Sequence, residues 1–112
     1  MRKIEAYVQP FMLTKVLREL RAAHVHGLTV TDVKGFGREK DESYPHHEGD
    51  FAVDFTPKVR LELLCHAEDV EALVDAVRRG AHTGRRGDGK IVVSVIEQVT
   101  SIRTGETGHD AV

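Results

Sequence analysis

The chain has 112 residues, one domain's worth, and carries 16 basic and 18 acidic residues for a net charge of -2, which argues against a broadly basic nucleic-acid surface. Hydrophobic residues make up 40% and charged residues 30%, as in ordinary globular domains, and the single cysteine, Cys65, excludes an internal disulfide or a cysteine-rich zinc site. A charged start, Met1 to Ala6, breaks any signal-peptide core and no apolar run is long enough to span a bilayer, so a cytoplasmic protein is expected.

Ile4, Ala6 and Val8 alternate with Glu5, Tyr7 and Gln9, the period of a strand with one buried face. Pro10 then precedes Leu13, Val16, Leu17 and Leu20, whose spacing predicts a helix. Gly27 closes the connection, and Leu28 to Val33 reads as a second strand rich in β-branched residues. Between Gly35 and Thr56 the periodicity dissolves into a run dense in Lys, Glu, Asp and His, too long for a turn. Long loops in compact domains usually carry function. Lys58 to Cys65 restarts the strand pattern, with Val59, Leu61, Leu63 and Cys65 on one face.

Val70, Leu73, Val74 and Val77 then predict a second helix, with acids in its first turn, Arg78 and Arg79 in its last, and Gly80 as its C-terminal cap. A glycine-rich turn, His82 to Gly89, leads into the apolar strand Ile91 to Ile96, and a polar, mobile tail is expected over 104–112. The expectation is one domain, 1–112, of the α+β class: ferredoxin-like βαββαβ with a long loop between the second and third strands. Two helices on one face of such a sheet leave the other face open, and association of several copies would cover it.

The segment Thr83-Gly84-Arg85-Arg86-Gly87-Asp88-Gly89-Lys90-Ile91 closely resembles the C-terminal signature of the PII nitrogen-regulatory signal proteins. Val33-Lys34-Gly35-Phe36-Gly37-Arg38, Val53-Asp54-Phe55-Thr56-Pro57-Lys58-Val59 and Ile102-Arg103-Thr104-Gly105-Glu106 resemble three further family blocks, and the likeness runs without gaps from Met1 to Glu106. The resemblance implies a homotrimer of ferredoxin-like subunits, with ATP and ADP competing for each cleft between neighbours. It also implies 2-oxoglutarate beside magnesium-ATP, and an effector loop (residues 37–55) that docks onto a protein target such as a membrane transporter. By the same resemblance Gly27, Leu28, Thr29, Glu62, Leu63 and Leu64 hold the adenosine, and Asp88 belongs to the phosphate segment. The chemistry agrees. Glycines at Gly84, Gly87 and Gly89 let backbone N–H groups approach phosphate, Gly35 and Gly37 support the phosphate reading by their matched spacing, Lys90 adds a point charge, and Arg38 and Arg103 offer forked donors.

The departures from the family pattern fall where regulation is read. Phe51 stands where many bacterial members carry the tyrosine that is uridylylated, so no hydroxyl is present there to modify. Glu39 replaces a glutamine that helps to hold magnesium and 2-oxoglutarate, and Ser101 replaces a phosphate-facing arginine, while Lys58, the partner of the distal carboxylate, remains. The expectation is therefore adenine-nucleotide sensing by ADP, ATP or AMP with weakened or absent 2-oxoglutarate sensing. His46 and His47, close to Asp41, Glu42, Glu48 and Asp50, are candidate ligands for a transition metal. They leave open a metal-responsive variant linked to heavy-metal efflux, beside one linked to bicarbonate. An enzyme is not expected, since the chain has neither a Ser/His/Asp arrangement nor a Walker-type lysine motif.

Overall fold

The computed structural model describes residues 1–36 and 55–112. Its regular elements are β1 (Arg2–Val8), α1 (Leu13–Ala22), β2 (Thr29–Gly35), β3 (Thr56–Cys65), α2 (Val70–Ala81) and β4 (Lys90–Val95), with single 3-10 turns at Pro10–Met12, Ala67–Asp69 and His109–Ala111. The strands form one sheet in the order β2-β3-β1-β4. Every neighbouring pair is antiparallel. This is the ferredoxin-like α+β arrangement expected from the element order.

The alternation in β1 buries Ile4, Ala6 and Val8, and the matching face of β3 buries Val59, Leu61, Leu63 and Cys65. Val16 and Leu20 of α1 and Leu73, Ala76 and Val77 of α2 complete one core, so both helices cover this face of the sheet. Pro10 opens a 3-10 turn ahead of α1, a place where its fixed φ and missing N–H cost nothing. Strand β2 begins at Thr29 and runs on to Gly35, and β3 begins at Thr56, each longer than its apolar pattern. The ladder between them continues through Pro57 and Gly35.

Gly80 is not the cap of α2. The helix runs on to Ala81, and His82 turns out of it with extended rather than left-handed dihedrals. A Cβ at Gly80 would stand 2.6 Å from the Cα of Val16 and 2.9 Å from its nitrogen. The glycine is there because α1 and α2 approach backbone to backbone at this point, a tertiary requirement that a C-terminal position mimics.

The apolar strand β4 lies at a sheet edge, and Val92, Val93 and Val95 remain 46%, 43% and 75% exposed. Two helices do not cover that surface, and such a patch on an edge strand calls for a protein partner. Residues 104–112, expected as a mobile tail, turn back on the segment that follows β4. Thr100 and Thr107 form an antiparallel bridge, and Gly108 donates its N–H to the Val99 carbonyl at 2.9 Å. No helix among the described residues is long and apolar enough to cross a membrane.

Candidate functional site

The glycine-rich segment forms a loop between α2 and β4 in which Gly84, Gly87 and Gly89 all take positive φ, at 87°, 95° and 107°. At Gly89 glycine itself is compulsory, since a Cβ would lie 1.7 Å from the carbonyl oxygen of Tyr7 on β1. Asp88 organises the turn from inside. Its carboxylate accepts the amides of Thr83 at 2.8 Å and Gly84 at 2.9 Å, and the Thr83 hydroxyl as well. Burial pushes the Asp88 carboxyl up, yet these hydrogen bonds, with His82 nearby, outweigh it and hold the group below its ordinary range. Lys58, nearly buried on β3, donates its ammonium to the Gly87 carbonyl and so ties the loop to the sheet.

Beside this loop lies a cleft of about 580 Å³, lined by Tyr7, Val33, Lys34, Gly35, Phe36, Lys58, Arg60, Gly89 and Lys90. Its described lining carries four cations and no carboxylate, which suits a polyanion. A second hollow of about 400 Å³ shares Tyr7, Gly89 and Lys90 and extends to Asp88, His82 and α2. At the cleft mouth Phe36 and Phe55 meet edge to face, with ring centroids 5.6 Å apart, and bring the two ends of the 37–54 segment together.

One chain thus gathers Gly35, Lys58, Gly84, Gly87, Asp88, Gly89 and Lys90 at one end of the sheet. It does not bring Gly27, Leu28, Thr29 or Leu64 to them, although Glu62 reaches the cleft through its ion pair with Arg60. Lys90 pairs with Tyr7 on β1 and Leu64 pairs with Lys3, so the two lie two strands and four residue steps apart. At ordinary sheet spacings that is about 16 Å between main chains. Thr29, on the edge strand β2, lies three strands and two residue steps from Lys90, about the same distance, and Gly27 and Leu28 precede it. Leu63 points into the core and offers only its main chain, while Leu64 is 38% exposed. Arg103 stands exposed on a turn of the segment beyond β4. Gly37, Arg38, Glu39, His46 and His47 lie outside the described residues.

Some charged residues were missed in the sequence. Lys34 and Arg60 join Lys58 and Lys90 in the cleft only because β2, β3 and β4 align their ends. On the open sheet face Glu62 forms ion pairs with Arg60 at 2.8 Å and Lys3 at 3.4 Å, and Lys3 also pairs with Glu5 at 2.9 Å. Hydrogen bonds from Lys3 and then Tyr7 hold Glu5 below the usual carboxylate range. Glu62, expected at the adenosine, is therefore also a member of a charge network. Among the described residues no group of three or more His, Cys, Asp or Glu side chains is placed to hold a metal ion.

A family model described as Nitrogen regulatory protein P-II matches residues 1–106. Nitrogen regulatory protein P-II of Mesorhizobium japonicum is 50% identical over 112 residues, covering 100% of both chains. The protein of the same description from Rhizobium meliloti is 48% identical with the same coverage. Among solved structures, Arabidopsis thaliana PII bound to citrate matches with a TM-score of 0.80 and 35% identity, over 98% of this chain and 90% of that one. With the family match and the full-length relatives in agreement, this chain belongs to the nitrogen regulatory protein P-II family, whose members are regulatory signal proteins and not enzymes.

Proposed function

We propose that this chain is a trimeric cytoplasmic sensor, one domain per subunit, that binds adenine nucleotide between neighbouring subunits and reports it to a protein target through residues 37–55. P-II proteins are trimers that bind ATP or ADP and act on protein targets, and the reading takes that general role to this chain. The observation that carries it is the division of the candidate site. The phosphate loop, with Lys58 and Lys90, is at one end of the sheet, and the adenosine candidates Gly27, Leu28 and Thr29, at the start of β2, and Leu64, near the end of β3, lie towards the opposite end, with Glu62 between them and the cleft. A second subunit placed against the first completes the site, and the exposed valines of β4 supply apolar surface for such packing.

Within the site, the amides of the 83–89 loop and the ammonium of Lys90 take phosphate oxygens, with Arg38 and Arg103 adding forked donors. A magnesium ion beside the phosphates would be held by phosphate oxygens and by Glu39. Ser101 lacks the guanidinium its family position often carries, a charge-assisted contact of about 1.5–3 kcal/mol, so ATP loses more than ADP or AMP. Glu39 sets a negative charge beside the anionic nucleotide and the dianionic 2-oxoglutarate. Two like charges about 4 Å apart at an effective dielectric near 20 repel by roughly 4 kcal/mol before the metal and screening offset it. Even a quarter of that lowers 2-oxoglutarate affinity several-fold. Phe51 removes uridylylation at that position.

Calorimetry with ATP, ADP and AMP, each with and without magnesium and 2-oxoglutarate, tests this reading, alongside light scattering for the mass. The expected result is a trimer that binds ADP and ATP, with weak or absent 2-oxoglutarate binding that Glu39→Gln partly restores. A monomer at micromolar concentration, or tight magnesium-ATP-dependent 2-oxoglutarate binding unimproved by Glu39→Gln, would contradict it.

A further inference from the structure

Four of the chain's seven histidines, His24, His26, His66 and His109, gather at the end of the molecule opposite the phosphate loop. They come from three places in the chain: the connection after α1, the residue after β3, and the last turn. The rings of His66 and His109 stack with centroids 3.6 Å apart and planes 9° from parallel, and His26 meets His66 edge-on at 6.1 Å. The His66 Nδ1 is buried without a hydrogen-bond partner, so it is the stack, not a hydrogen bond there, that orients the ring. Beside them the His26 Nδ1 lies 3.4 Å from the main-chain oxygen of Val112.

What this cluster holds is a hairpin. Thr100 and Thr107 bridge across it, their hydroxyls are 3.2 Å apart, and Ser101 donates its N–H to the Glu106 carbonyl at 2.8 Å. Gly105 closes the tip onto the Ser101 carbonyl at 2.9 Å, and the Thr104 amide reaches the Ser101 hydroxyl at 3.4 Å. Arg103 sits at that tip, exposed, beside a wholly exposed Ile102. The hairpin is internally hydrogen-bonded; the chain enters it after Ile96, whose N–H donates to the Met1 carbonyl at 3.1 Å, and its far end meets the body at the His66–His109 stack and at the exposed 3.4 Å approach of His26 to Val112. A second attachment at His109 therefore decides where the tip points.

We propose that the His66–His109 stack is a latch that positions Arg103 for the phosphates of an adenine nucleotide, making His109 a positioning residue that never touches the ligand. The role of Arg103 in this proposal rests on the nucleotide reading above. Without the stack the far end of the hairpin keeps only the long, exposed His26–Val112 contact, and ordering the hairpin becomes part of the cost of binding. Aromatic stacking of this kind sets the size of the effect at a few-fold to about tenfold in affinity. His109 is 70% exposed, so its replacement leaves the core intact. His109→Phe keeps a flat ring on His66 and is the variant expected to retain the latch.

Two measurements on the full chain test this. Backbone amide relaxation over residues 100–108 in nucleotide-free protein reads the latch alone; His109→Ala should lower the order parameters there, and His109→Phe should match the natural chain. Calorimetry then reads the consequence. His109→Ala should weaken ATP several-fold while sparing adenosine, His109→Phe should restore it, and His109→Ala should add nothing in an Arg103→Ala background. Unchanged order parameters in His109→Ala would overturn the latch. Weakened ATP binding in Arg103→Ala beside unaffected binding in His109→Ala would overturn the positioning role. No effect of Arg103→Ala on ATP would overturn the proposal through the nucleotide reading instead.

Discussion

Gly89→Ala is a one-atom test of how the phosphate loop is built. Alanine there must hold a φ of 107°, a conformation that costs a non-glycine residue about 1–3 kcal/mol. Its methyl would also meet the Tyr7 carbonyl oxygen at 1.7 Å, where carbon and oxygen need about twice that separation. The obstacle is main chain of a central strand, so the loop must move, and the adjoining Lys90–Tyr7 pairing loosens with it. Losing one ladder hydrogen bond adds about 1 kcal/mol, for a total of roughly 2–4 kcal/mol. A native domain has about 5–15 kcal/mol in hand, so the variant should still fold. Urea unfolding should show a lower midpoint with unchanged slope, and calorimetry should show nucleotide affinity reduced by at least tenfold. A midpoint within experimental scatter of the natural chain, with nucleotide binding intact, would refute the close approach of Gly89 to β1.

Two further outcomes follow from the same site. Lys90→Ala should weaken ATP and ADP about tenfold or more while leaving adenosine affinity alone, since the lost contact is to phosphate; equal losses for adenosine, measured by calorimetry, would move Lys90 to the other half-site. The lowered Asp88 carboxyl contributes stability that is fully present above its unfolded value, near 3.8, and is lost as pH falls through the lower folded value. Urea midpoints of Asp88→Asn should therefore lie below the natural chain at neutral pH and converge on it in strong acid; parallel curves at all pH values would show that the carboxylate does not brace the loop.

Much of the fold was legible because burial periodicity is local. Ile4, Ala6 and Val8 face the core as their alternation requires, and Val16, Leu20, Leu73 and Val77 fall on the helix faces their spacing predicts. Gly80 was misread because the distance between two helices is not a local quantity, and a glycine after two arginines looks like a cap whether or not another helix lies against it. The phosphate loop was legible because its glycines are needed by its own backbone. Lys34 and Arg60 were not, since what brings them to the cleft is the register of β2 on β3. The His66–His109 stack joins residues far apart in sequence and has no local signal at all; only the return of the chain past the end of β3 places them together.

The central claim is that the nucleotide site is completed by a neighbouring subunit, and mixing two defective variants tests it most directly. Lys90→Ala damages the phosphate half, and Leu64→Glu places a charge at the exposed adenosine half. Each variant alone should bind ATP poorly. Unfolded together and refolded as mixed assemblies, they should regain tight sites in about a quarter of the clefts, because each cleft draws its two halves from different subunits. No recovery of tight sites in the mixture, with both variants assembling normally, would contradict a shared site and place the whole of it within one chain.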